Sequence, residues 1–397
     1  HQPNHPVAKK GLRKLQQEVT HNSYVQVEIV DPSPDQINAL VNLYYTGQMV
    51  QTEQACRGLL QAYPQSLVVI NLLGASLQGQ GKLQEAVESF DKVIQLKPDY
   101  VAAYNNRGTV LKELGLLEKA VESYNQAIQL QPDYTDAYYN RGIALQELEQ
   151  LVEAVESFNR AIQLKPDNIE AYCNRGAVLK ELGQLEEAVE SYNQAIQLQP
   201  DYAEAYNNRG NVLKELGQLE EAAASYNRAI QLKPDYVSAY NNRGNVLKDL
   251  GQLEEAVGSY NKVIQLKPNY AEAYSNLGGV LKELGQIAEA VEKYDLAIQF
   301  KPDYAVAYYN RGVALQELDQ LVETVKSYDK AILLKPDYAE AYSNRGLTLQ
   351  NLGQLTEAVE SYDKAIQLKP DYAEAYINLG SVLKELGQLT ESLEQYD

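Results

Sequence analysis

Nine prolines, Pro98, Pro132, Pro166, Pro200, Pro234, Pro268, Pro302, Pro336 and Pro370, follow one another at intervals of 34 residues, and Pro64 falls one interval earlier. A fixed period over most of a 397-residue chain constrains the fold more tightly than any bulk property. A unit of this length cannot bury its apolar surface alone, so neighbouring copies must stack into a shared core. Composition points the same way: 31 Tyr against 3 Phe, no Trp and a single Met read as one short unit copied many times.

Residues 203–236 serve as a reference unit. Tyr206, Gly210, Val212, Leu213 and Leu216 recur at helical spacing, and Leu219, Ala222, Tyr226, Ala229 and Ile230 form a second helical stripe. Gly217-Gln218 separates the two, with Gly where a helix commonly ends. Pro234-Asp235 stops the second helix and opens the next unit. Each unit is therefore predicted to be two antiparallel helices, and the fold class all-α. Only residues 24–30 (YVQVEIV) alternate weakly like a strand.

The unit resembles the tetratricopeptide repeat (TPR). That pattern of an aromatic, Leu-Gly, an aromatic, a small Ala, an aromatic and a final Pro falls on Tyr206, Arg209-Gly210, Leu213, Ala222, Tyr226 and Pro234, with Leu213 replacing an aromatic and Arg209 replacing Leu. Nine full units run through 67–372, and a tenth, 373–397, stops inside its second helix. A degenerate unit occupies 33–66, opened by Ser33-Pro34 as N-cap and first helical residue. Residues 1–32, locally basic through Lys9, Lys10, Arg13 and Lys14, read as a linker or displaced cap. The resemblance implies a right-handed superhelical solenoid of helix pairs, with first helices lining a concave groove and second helices outside.

On a helical wheel, Glu204, Asn207, Asn208, Asn211, Lys214 and Glu215 share the side of the first helix that the core does not use. Within it, every unit from 101 onward holds Asn at one place: Asn106, Asn140, Asn174, Asn208, Asn242, Asn276, Asn310, Asn344 and Asn378, whereas unit 67–100 has Leu72. A side-chain amide offers both donor and acceptor, so it can pair with a backbone peptide group of any sequence. With helices about 8–10 Å apart and extended chain advancing about 3.3 Å per residue, one Asn meets roughly every third residue of a bound peptide. The row resembles the asparagine ladder in the TPR domain of the O-linked N-acetylglucosamine transferase, which implies an extended polypeptide as ligand. The same amides can instead bond across neighbouring first helices, and near-identical copies keep a residue whether or not it is used.

Beside the ladder, Asn207 and Asn241 are assigned to the same face, and Tyr139 and Tyr309 replace Asn207 in two similar units; Cys173 and Ile377 occupy that place elsewhere. Arg209 sits on the side facing the core, as do Arg107, Arg141, Arg175, Arg243, Arg311 and Arg345. A charge there must lie along its stem, stack on a Tyr ring or reach an Asp or carbonyl between units, so a structural role is expected. Gly210 is read as the point where the two helices approach closely. Glu186, Glu187, Glu190, Glu220 and Glu221 fall on the outer face as a solvated, solubilising exterior.

Several function classes fall away. Net charge is −19, against a phosphate-binding or anionic-membrane surface, so neither nucleic acid nor membrane is expected as a partner. No apolar stretch is long enough to span a bilayer. Cys56 and Cys173 lie in different units, which speaks against a disulfide and for a cytoplasmic setting. His1, His5 and His21 all precede the array, and there is no phosphate loop, HExxH or Cys/His cluster, so no cofactor, metal or catalysis is expected. TPR cochaperones that grip acidic tails carry Lys at the equivalents of Glu204 and Asn207 and Arg at an equivalent of Asn208; that carboxylate clamp is absent.

The chain is thus expected to be a non-catalytic scaffold that binds an extended or helical protein segment in its groove. Two rivals stand beside this: the substrate-recruiting arm of a larger glycosyl- or sulfotransferase, and end-to-end self-assembly. Both draw on Leu393 and Tyr396, which leave an unfinished apolar face in the last, uncapped repeat.

Overall fold

The computed structural model describes residues 31–387, and among them stand twenty-one helices, from Pro34–Tyr45 to Ala373–Glu385, and no strand. Residues 24–30, Leu393 and Tyr396 lie outside the described residues, as does the surface on which end-to-end association would rest. By internal contact the chain divides into two compact units, one ending at Pro166 and one beginning at Asp167. The first holds four helix hairpins, Pro34–Tyr45 with Met49–Ala62 through Thr135–Glu147 with Leu151–Leu164. The second holds six, Ile169–Glu181 with Leu185–Leu198 through Ala339–Asn351 with Leu355–Leu368, and then the single helix Ala373–Glu385. The proline period does not announce this division, because it falls inside a Lys-Pro-Asp linker that reads like the others.

Each unit is an all-α solenoid segment in which the two helices of a hairpin pack on each other and on the neighbouring hairpin of the same unit, and Ala373–Glu385 packs on the hairpin before it. The connections follow from local chemistry. After Leu219–Leu232, the amide of Lys233 makes the last helical bond to the Ala229 carbonyl, and the Tyr236 amide then bonds the Lys233 carbonyl at 3.1 Å. Lys233-Pro234-Asp235-Tyr236 is thus a four-residue turn with Pro second, where its fixed φ fits. Within the hairpin, Gly217 has φ +75°. Its amide bonds the Lys214 carbonyl, and that of Gln218 bonds Leu213 at 2.9 Å, the paired bonds of a Schellman cap. At the first described helix, Ser33 is the N-cap that the Ser33-Pro34 pair suggested, and it forms a reciprocal capping box with Gln36.

Two hairpins break the glycine rule. Glu149 and Asp319 take the Gly217 position with φ of 59° and 57° while keeping the same cap bonds. A side chain in this left-handed region costs about 1–2 kcal/mol.

The core of each repeat is built on one aromatic ring. Tyr226 is fully buried, and its ring lies so near the first helix that a Cβ on Gly210 would stand 2.6 Å from its Cε1. The same seat recurs at Gly74 under Phe90, Gly108 under Tyr124, Gly142 under Phe158 and Gly244 under Tyr260. Ala222 and Ala229, one turn to either side of Tyr226, are fully buried, their small side chains permitting the close approach. The Tyr226 hydroxyl passes beyond the glycine and donates to Asn211 Oδ1 at 2.8 Å, as Tyr260 does to Asn245 at 2.7 Å. Tyr362 has Leu347 at the corresponding place, and its buried hydroxyl has no partner among the described residues.

Three stability results follow. Gly210→Ala should lower stability by about 1–3 kcal/mol, because the buried ring must move; a urea midpoint equal to that of the parent would refute the ring-on-glycine contact. Glu149→Gly and Asp319→Gly should each raise the midpoint, by about 0.5–1 kcal/mol once the greater freedom of unfolded Gly is offset. Tyr226→Phe should cost about 1 kcal/mol while Tyr362→Phe is neutral or stabilising, since only the first breaks a hydrogen bond.

Candidate functional site

The first helices of each unit stand side by side, and bonds between their side chains define the face on which the sequence places the ladder. In the second unit, Asn242 Nδ2 donates to Asn207 Oδ1 at 3.2 Å and to Asn211 Oδ1 at 3.0 Å. Asn276 Nδ2 reaches Asn241 and Asn245 at 3.5 and 3.4 Å, and Asn344 Nδ2 donates to the Tyr309 hydroxyl at 3.1 Å. In the first unit, Asn106 donates to Asn71 at 3.2 Å and Asn140 to Asn105 at 3.0 Å. The row has a direction: each of these amides gives its N–H groups to the preceding first helix.

These bonds use the N–H groups of the ladder amides and leave several of the oxygens without a partner. Asn106, Asn140, Asn242 and Asn276 remain half-buried, and their Oδ1 atoms accept no hydrogen bond among the described residues. Asn208 differs, its Oδ1 accepting from Asn207 Nδ2 at 3.3 Å. Asn174, Asn310 and Asn378 are half-buried at the same place. The contacts between first helices that the sequence left as an alternative therefore exist.

The companion positions depart from the wheel. Asn207 is 5% exposed and Asn105 7%, so this place belongs to the seam between adjacent first helices rather than to a free face. The reason is the stacking of repeats, which covers a strip of the first helix that a single-helix wheel leaves open. Asn241 keeps half its surface covered. Tyr139 packs on Phe158 with ring centres 6.0 Å apart. Tyr309 lies 4.9 Å from Tyr338 and 5.9 Å from Tyr328, and burial holds its hydroxyl above its ordinary pKa. Burial also pushes the Cys173 thiol up to about 12, which keeps it unreactive. Ile377 is 56% exposed.

Arg209 is accounted for by its neighbours. Its guanidinium lies 5.4 Å from the Tyr206 ring centre, donates to Ser225 Oγ at 3.1–3.2 Å in its own hairpin, and reaches Asn193 Oδ1 at 2.9 Å in the preceding one. Ser225 in turn donates to the Glu221 carbonyl. Arg243 repeats the arrangement with Ser259 and Asn227, and in the first unit Arg107 makes it with Ser123 and Asp91. The repeat with Leu277 in place of Arg also lacks the Ser, having Lys293 instead, a correlation already present in the sequence. These arginines hold hairpins together and face away from the ladder.

Charge along the face is largely paired. Lys180, Lys248 and Lys282 reach Glu215, Glu283 and Glu317 of the following repeats at 2.7, 3.1 and 3.1 Å. Lys233 reaches back to Glu204 at 2.9 Å and Lys301 to Glu272 at 2.9 Å, holding both carboxyls below their usual range. Such half-exposed pairs contribute little stability, but they fix which groups remain unpaired. Glu186, Glu187, Glu190, Glu220 and Glu221 are exposed on the second helices. Among the described residues no group of His, Cys, Asp or Glu is placed to hold a metal, and no helix is long and apolar enough to cross a membrane.

Comparison with known proteins gives this arrangement a family. A search of curated proteins finds no match. Among solved structures the chain is similar to YrrB, described as a TPR protein with an unusual peptide-binding site, at 27% identity over 47% of this chain and 96% of that one, with a TM-score of 0.41. It is also similar to MamA, at 25% identity over 41% of this chain and 95% of that one (TM-score 0.40), and to a MamA fragment from Desulfovibrio magneticus RS-1, at 25% identity over 43% and 96% (TM-score 0.40). The TPR repeat model matches nine times, at 79–115, 110–149, 147–183, 177–217, 210–251, 244–285, 280–319, 320–353 and 351–387, an unbroken run over well more than half the chain. The chain belongs to the TPR repeat family.

Proposed function

We propose that this chain is a non-catalytic, cytoplasmic scaffold that holds an extended segment of a partner polypeptide along its first-helix face, with the ladder asparagines meeting the segment's backbone. Membership of a family of protein-interaction repeats supports the general reading. The observation that carries the finer one is the set of free Oδ1 acceptors on Asn106 and Asn140 in the first unit and Asn242 and Asn276 in the second. An acceptor held by its own N–H bonds needs no further ordering when a peptide N–H arrives, so less entropy is lost on binding. The buried Tyr226 and Tyr260 hydroxyls contribute by fixing Asn211 and Asn245, on which Asn242 and Asn276 rest. Because the amides read backbone, the ladder supplies affinity without strong sequence preference. Selectivity then falls to residues that differ between repeats.

The test uses peptides of about 12 residues, the length four repeats span, selected on the full chain from a random displayed library. Replacing Asn208, Asn242 and Asn276 together by Ala should weaken the selected peptides at least about tenfold, roughly one net hydrogen bond's worth. Far-UV circular dichroism should keep its helical signal. Unchanged affinity removes the ladder from the binding site, and failure of the library to yield any binder removes peptide binding itself.

A further inference from the structure

Two unpaired hydrogen-bond donors, Lys214 and Asn310, line one cavity in the second unit, where repeats that are otherwise near copies differ. Beside the first helices Ala203–Glu215, Val237–Asp249, Ala271–Glu283 and Ala305–Glu317 lies a cavity of about 220 Å³, lined by Lys214, Lys248, Asp249, Asn276, Gly279 and Asn310 among others. Its lining is polar.

The cavity has two local causes. The first is Gly279, which stands where the two preceding repeats carry Asn211 and Asn245. A Cβ there would meet only the Tyr294 hydroxyl at 3.9 Å and Lys248 Nζ at 4.0 Å, so the space is open. Asn211 and Asn245 each accept from the ring of their own hairpin and from the ladder amide of the next repeat. Without an equivalent acceptor, the Tyr294 hydroxyl and the Asn310 amide form no hydrogen bond among the described residues. The second cause is Asp249. Lys112, Lys180, Lys248 and Lys282 all reach a Glu 35 residues further on, whereas Lys214 finds the shorter Asp249 there. No ion pair closes, and the Lys214 ammonium is left facing the cavity.

The unpaired Lys214 ammonium and Asn310 amide line the cavity beside the Glu283-paired Lys248 and the Asp249 carboxylate, with the Tyr294 phenol next to Gly279, and a negatively charged acceptor satisfies the unpaired donors best. We propose that this cavity is a specificity pocket for one carboxylate side chain, Asp or Glu, of the segment held on the first-helix face. The inference rests on the reading of that face given above. It lies at different residues from Glu204, Asn207 and Asn208, and it takes a side chain within a segment rather than an acidic tail. The protein's net charge of −19 repels polyanions at long range. The favoured segment therefore carries a single acid among neutral or basic residues, and the unpaired Lys214 is where that acid seats.

The test compares peptides of about 12 residues selected on the full chain, the length four repeats span, with analogues in which each acidic residue is replaced by its amide. Selected sequences should share one Asp or Glu at a fixed position, and its Gln or Asn analogue should bind at least about tenfold more weakly in fluorescence anisotropy, a difference that shrinks with added salt. Two variants restore what sibling repeats already contain, so both should fold: Asp249→Glu gives Lys214 its usual partner, and Gly279→Asn gives Asn310 and Tyr294 their missing acceptor. In each, the ratio of acid to amide affinity should fall towards one. Peptides that bind with no acidic preference, or a ratio that both variants leave intact, overturn the pocket while leaving the ladder standing. A library that yields no binder overturns the ladder and the pocket together.

Discussion

The seat of an aromatic ring on a glycine is the contact from which the rest of each repeat is built. Tyr226 against Gly210 fixes how closely the two helices of a hairpin approach, and Ala222 and Ala229 keep the neighbouring turns narrow enough to permit it. The ring also carries a polar group through the core. Its hydroxyl emerges at Asn211 on the far side of the first helix, where it can be satisfied. One buried residue thus spaces the hairpin and orders the surface opposite, and a hydroxyl with no such outlet, as at Tyr362, is a local defect in the same design.

From that point the polar groups sort themselves by position. Arginines on the side away from the ladder tie each hairpin to its predecessor through Ser225-type hydroxyls and Asn193- or Asp91-type acceptors. Ladder amides tie first helix to first helix through their N–H groups. Lys–Glu pairs close the far end of the face. When nearly every group has a partner supplied by its neighbouring copy, individuality arises only where a copy departs. Gly279 removes an acceptor that its two predecessors carry, Asp249 shortens one, and Tyr139 and Tyr309 insert a ring where most repeats have Asn or Ser. On the proposed reading, the repeated framework supplies rigidity and selectivity for a partner falls to those few departures.

The hairpin boundaries and the glycine that lets the helices meet were legible because each depends on spacing within one unit. Asn207 was misplaced on the free face because a helical wheel treats the helix as isolated, while stacking covers a strip more than the wheel assigns to the core. Arg209 could be expected to stack on Tyr206, since both lie on one helix, but its bonds to Ser225 and Asn193 join three helices. The pairing of Leu277 with Lys293 was the available clue, readable only by comparing units at two positions together. The cavity beside Gly279 is illegible in a single unit for the same reason: its donors are spread over four repeats.

The sequence by itself determined the period, the two-helix unit, the absence of His from the array and the family pattern, because helix propensity, turn chemistry and apolar periodicity are local and are repeated here many times over. Only the tertiary structure decided which amide faces its neighbour and which stays free, which lysine finds its acid and which does not, and where the chain divides into two compact units. Those outcomes turn on distances of a few ångströms between residues about 16 or 35 positions apart, such as the one methylene by which Asp249 falls short of Lys214.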